Sequence, residues 1–83
     1  MPYKILYTKT AFTDIKQLDV VVKKRIKKKI EIFSKDPITY AKKLIHFSIG
    51  SYRWRIGDYR IIFDIDGKNI VILRVKHRRE SYK

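Results

Sequence analysis

Tyr52-Arg53-Trp54-Arg55-Ile56-Gly57-Asp58-Tyr59-Arg60-Ile61-Ile62-Phe63-Asp64-Ile65 decides the fold of this 83-residue chain. Two runs of β-branched, aromatic and basic residues flank Gly57-Asp58, a pair suited to a two-residue hairpin turn with glycine first. Such a turn sets a register: Ile56 opposite Tyr59, Arg55 opposite Arg60, Trp54 opposite Ile61, Arg53 opposite Ile62. Side chains alternate faces along a strand. Tyr52, Trp54, Ile56, Tyr59, Ile61 and Phe63 therefore share one face, which reads as core. Arg53, Arg55 and Arg60 share the other, where no lysine and no nearby carboxylate is expected. Arg55 against Arg60 is a like-charge pair that costs roughly a few tenths of a kcal/mol. A chain that had only to fold gains by placing a carboxylate at one of the two.

Downstream, Asp66-Gly67 reads as a second turn and Asn69 to Val75 as a third strand, apolar on both faces at its start. Upstream, Ile5-Leu6-Tyr7 reads as a short first strand. Thr8 or Thr10 caps a helix carrying Ala11, Ile15, Leu18 and Val22 at helical spacing. Asp19 marks a second cap or a kink, and Val22, Ile26, Ile30 and Phe33 form the next stripe. Asp36-Pro37 stops it. Residues 37–50 read as irregular, with Leu44, Ile45 and Phe47 as an edge segment. The expected fold is α+β, one domain over residues 1–83. It has a first strand, two N-terminal helices at about residues 9–35, then a three-strand antiparallel meander with the helices on one face of the sheet.

Lys plus Arg number 21 against 8 acidic residues, a formal net charge of +13. Self-repulsion of this size favours a polyanionic partner: nucleic acid, an anionic membrane or an acidic protein. The apolar fraction of 45% is that of a folded chain. Without cysteine there is no disulfide, thiolate zinc site or cysteine nucleophile. His46 and His77 lack the close spacing of a metal pair, so neither metal nor cofactor is expected. No apolar run approaches the roughly 20 residues of a membrane span, and the N-terminus has no signal-like stretch. A cytoplasmic location is expected. Lys23-Lys24-Arg25-Ile26-Lys27-Lys28-Lys29 concentrates charge on the second helix. Two readings stand: a solvated face, or a phosphate-tracking surface in which Lys23, Lys24, Lys27 and Lys28 bind RNA. An insertion face rich in Trp or Leu is missing from this helix, which disfavours the membrane.

The arginines themselves carry chemistry. A guanidinium is a planar fork matched to phosphate, so three on one face suggest a shaped phosphate site. His77-Arg78-Arg79-Glu80-Ser81-Tyr82 follows the last strand and can fold back beside them. Tyr82, so near the C-terminus, suits stacking on a base. His77 is a candidate for proton transfer, although a structural histidine at a strand end is the commoner case.

At these residues the chain resembles the RelE/ParE superfamily of bacterial and archaeal toxin–antitoxin toxins. The resemblance rests on Tyr52-Arg53-Trp54-Arg55-Ile56, Gly57-Asp58-Tyr59-Arg60 and the closing Val75-Lys76-His77-Arg78-Arg79-Glu80 with the late Tyr82. It implies one of two activities. RelE-like members are ribonucleases that enter the ribosomal A site and cut mRNA without a metal, whereas ParE-like members poison DNA gyrase. The RelE-type active site maps onto Arg53, Arg55, Arg60, Arg78 and Tyr82, which favours that branch. Arg53 and Arg55 depart from the lysines of the best-known members, and arginine is a poor general base. The implied partners are an acidic, RelB-like antitoxin, the ribosome and mRNA. The competing expectations are a gyrase inhibitor and a weakly catalytic homologue that binds only its antitoxin.

Overall fold

The computed structural model describes residues 3–43 and 52–77. Strands β3 (Tyr52–Ile56) and β4 (Tyr59–Asp66) form the hairpin in the register expected from the sequence, Arg55 opposite Arg60 included. Gly57 has φ 58°, and among the described residues every positive φ belongs to a glycine. That is the φ pattern of a type II′ turn, which suits the right-handed twist of the flanking strands. The next turn repeats it with Gly67 at φ 61°. Because Asp66 pairs with Asn69, its two turn residues are Gly67-Lys68 rather than Asp66-Gly67. The positive φ at the first turn position explains the shift, since glycine takes it without penalty.

Strand β5 (Asn69–His77) is longer than expected and contains a bulge. Ile62 pairs with Arg74 but Phe63 pairs with Ile72, leaving Leu73 as the extra residue. A bulge changes the phase of a strand. Ile70 and Ile72 enter the core before it, and Val75 enters after it. Without the bulge, strict alternation would bury Arg74 and Lys76.

The sheet is mixed and five-stranded, in the order β1-β5-β4-β3-β2. Strand β1 (Lys4–Tyr7) pairs parallel with β5, and the two-residue β2 (Lys42–Lys43) pairs antiparallel with β3. The expected meander is thus the centre of the sheet, with a strand added on each side. Leu44, Ile45 and Phe47, expected to form an edge segment, lie outside the described residues, as does His46.

Helix α1 (Lys9–Lys16) begins at Thr8, whose Oγ1 accepts from the Ala11 N–H at 3.1 Å. Helix α2 (Val20–Phe33) follows, with Asp19 at its N-cap position but no capping bond from the carboxylate. Ala11, Ile15, Ile26 and Ile30 bury against Trp54, Ile56, Ile61, Phe63, Ile70, Ile72 and Val75. The helices therefore cover the face assigned to them. Pro37 does more than stop α2: it opens a one-turn helix α3 (Pro37–Tyr40) in a stretch expected to be irregular. Proline suits a first helical position, where its missing N–H is no loss. Trp54 Nε1 donates to the Pro37 carbonyl at 3.1 Å inside the core and so ties α3 to β3.

Candidate active site

On the sheet face away from the helices, cross-strand register builds two adjacent rows. One runs Arg55–Arg60–Lys76 and the other Lys42–Arg53–Ile62–Arg74. Arg53, Arg55 and Arg60 come together as expected. The face also holds Lys42, Lys76 and Arg74, with Asp64 further along β4. This corrects the expectation of a face without lysine or carboxylate. Neither lysine was legible, because Lys42 depends on an edge strand and Lys76 on the bulge. Arg55 is exposed, while Arg53, Arg60 and Lys76 are half-buried. Like charges placed side by side on neighbouring strands weaken a sheet.

Arg74 is held from the side. Strand β1 stops pairing at Ile72, and the N-terminus of α1 takes over the open edge of β5. Thr8 Oγ1 donates to the Leu73 carbonyl at 3.1 Å. The Asp14 carboxylate accepts from the Val75 N–H at 3.0 Å and from Arg74 Nε at 2.9 Å, with Arg74 Nη2 at 3.3 Å. Backbone groups freed at the bulge thereby find partners. Asp14 was not singled out from the sequence. Its single signal, a lone acid in a basic helix, is too weak to find it.

His77 falls elsewhere. It pairs with Tyr59, and the two rings meet edge to face at 5.1 Å and 87°. The alternation that puts Lys76 beside Arg60 puts His77 on the Tyr59 side, so His77 is not brought onto the arginine face. Arg78 and Tyr82 lie outside the described residues.

The lysines of α2 sit across the sheet from the arginines. Lys24, Lys27 and Lys28 are exposed and Lys23 is half-buried. Lys23 and Lys27, with Lys16, rim a groove of ≈ 220 Å³ floored by Tyr7, Phe12 and Ile15. Burial, then the nearby Glu31 carboxylate, pushes the Tyr7 hydroxyl above its ordinary value of 10.0. Phe12, Val20 and Val21 stay exposed at 62%, 61% and 64%. An apolar floor with a cationic rim suits an acidic amphipathic segment more than a bare phosphate backbone. Among the described residues no helix is long and apolar enough to cross a membrane.

Comparison with known proteins agrees with this architecture. The family model for the ParE toxin of the type II toxin–antitoxin system parDE matches residues 5–82. Toxin RelG of Mycobacterium tuberculosis is 31% identical over 86 residues, covering 100% of this chain and 99% of the relative. Toxin RelE3 of Methanocaldococcus jannaschii is 35% identical over 83 residues, covering 95% and 94%. In the crystal structure of the toxin–antitoxin complex RelBE2 from M. tuberculosis, a chain at 31% identity superposes with a TM-score of 0.84. That match spans 94% of this chain and 100% of the other. With its arginine-lined sheet, its two packed helices and relatives along its whole length, the chain belongs to the RelE/ParE family of type II toxin–antitoxin toxins and is RelE-like.

Proposed function

We propose that this toxin is a ribosome-dependent mRNA endoribonuclease that stops translation and is silenced by an acidic, RelB-like antitoxin. The observation that carries the reading is the row Arg55–Arg60–Lys76 beside Arg53. RNA supplies its own nucleophile: the ribose 2′-hydroxyl attacks the adjacent phosphorus and the bond to the 5′-oxygen breaks. The products are a 2′,3′-cyclic phosphate and a 5′-hydroxyl, and this route calls for no metal. Arg60 holds the phosphate, joined by Arg78 from the family pattern. Arg53 and Arg55 stabilise the charge that builds on the phosphorane. Tyr82 stacks on a base. Lys76, next to Arg60, is the better-placed group to protonate the leaving 5′-oxygen, while the 2′-hydroxyl proton passes to water. His77, facing Tyr59, supports the strand end. Arginines do not serve as a strong base, so the free protein cuts slowly and depends on the ribosome to orient the substrate.

The antitoxin reading draws on the groove between α1, α2 and β1. Its apolar floor and the Lys16, Lys23 and Lys27 rim fit an acidic helix, and a chain of charge +13 gains stability by mass action when so covered. Lys24 and Lys28 then remain as general phosphate contacts. The test is A-site cleavage on translating ribosomes, read by toeprinting. Arg60→Ala removes a transition-state contact and lowers the cleavage rate about a hundredfold or more while the chain stays folded. Lys24→Ala, on the other side of the sheet, changes it far less. Cleavage by Arg60→Ala at the wild-type rate removes the nuclease reading, and arrest without cleavage but with inhibited gyrase replaces it.

A further inference from the structure

Beside the arginine face, at the β2 edge of the sheet, Tyr40, Lys42, Arg53 and Arg55 line a recess of ≈ 140 Å³. Tyr40 is the last residue of α3, and its ring is fixed from behind. It stacks on Phe33 with centroids 4.6 Å apart and planes at 15°. Phe33 meets Trp54 edge-on at 5.8 Å, and Trp54 lies on Phe63 at 4.0 Å. The Trp54–Pro37 hydrogen bond anchors the same short helix. With one ring face against Phe33, Tyr40 still remains 51% exposed. A rigid aromatic with an open face among three cations has the makeup of a single-stranded nucleic acid subsite: ring for a base, cations for the phosphates. An acidic peptide can use the cations, but it has no need of the ring.

We propose that Tyr40 is a stacking platform for one base of single-stranded RNA, whose flanking phosphates lie on Lys42, Arg53 and Arg55. The platform rests on the RNA reading above and sets the base next to the phosphate that Arg53 and Arg55 stabilise. Its rigidity matters, because an ordered ring loses little entropy on binding.

The test is fluorescence anisotropy with the full chain and a labelled seven-nucleotide single-stranded RNA, 2′-O-methylated so that it cannot be cut. Tyr40→Leu, which still covers Phe33, weakens binding about tenfold, and Tyr40→Phe or Tyr40→Trp restores it. The dependence of log Kd on log salt keeps its slope across the set, since no cation is removed. An abasic seven-mer binds wild type and Tyr40→Leu equally and weakly. The platform is overturned if Tyr40→Leu binds the seven-mer as tightly as wild type. It is overturned equally if wild type holds abasic and base-bearing chains alike, a comparison that stands even where Tyr40→Leu melts early. A loss of affinity in Tyr40→Leu for an acidic peptide alone marks the recess as a peptide site instead. Ring-dependent binding without ribosomal cleavage keeps the platform and removes the nuclease, and ring-independent RNA binding with cleavage intact does the reverse.

Discussion

Asp14→Ala tests how the arginine face is held in register. The Asp14 side chain is 16% exposed and that of Arg74 is 35%. The carboxylate accepts from the Val75 N–H at 3.0 Å just past the bulge and from the Arg74 guanidinium at 2.9 Å. Removing it strands a part-buried backbone N–H, which costs about 1–3 kcal/mol. Arg74 is a third exposed and recovers water, so the lost ion pair adds only about 0–1 kcal/mol. Together these give about 1–4 kcal/mol. For a domain of this size that lowers Tm by about 4–30 °C. Asp14→Asn keeps an oxygen for Val75 and costs about 1 kcal/mol, close to Arg74→Ala. Thermal melts of the three variants, with hydrogen exchange at the Val75 amide, give the ordering. A drop below about 3 °C for Asp14→Ala, or equal losses in Asp14→Ala and Arg74→Ala, refutes the view that the strand clamp outweighs the ion pair.

Trp54→Phe unfastens α3 by removing the donor to the Pro37 carbonyl; a loss of about 2–3 kcal/mol is expected in urea melts. Gly57→Ala meets no atom within 4 Å but must hold φ near 58°, so it costs about 1–2 kcal/mol through backbone strain alone, measured against Asp58→Ala. The raised Tyr7 hydroxyl keeps its proton in the folded state at a pH where the unfolded chain releases it. That contribution is complete below pH 10.0 and is lost as pH rises through the folded value, so Tyr7→Phe flattens the fall of the urea midpoint above about pH 10. Lys23→Glu with Lys27→Glu weakens capture of the co-expressed antitoxin while ribosomal cleavage persists, and equal capture excludes the groove.

What sequence alone determined here was short-range. The hairpin register, the split of Trp54 from Arg55 and the helix stripes follow from period two, period 3.6 and glycine's tolerance of positive φ, all settled within a few residues. The resemblance to the family likewise rests on contiguous motifs. Tertiary structure decided whatever joins distant segments: the parallel pairing of β1 with β5, the Asp14 clamp 61 residues from Val75, and the Trp54 bond that turns a stop signal at Pro37 into α3. The bulge at Leu73 is the sharpest case. Strict alternation along β5 buries Arg74 and Lys76, and only partners supplied by Thr8 and Asp14 favour the phase that brings Lys76 beside Arg60 and turns His77 away. Strand phase is a choice between nearly equal local conformations, so contacts made across the fold determine which one is kept.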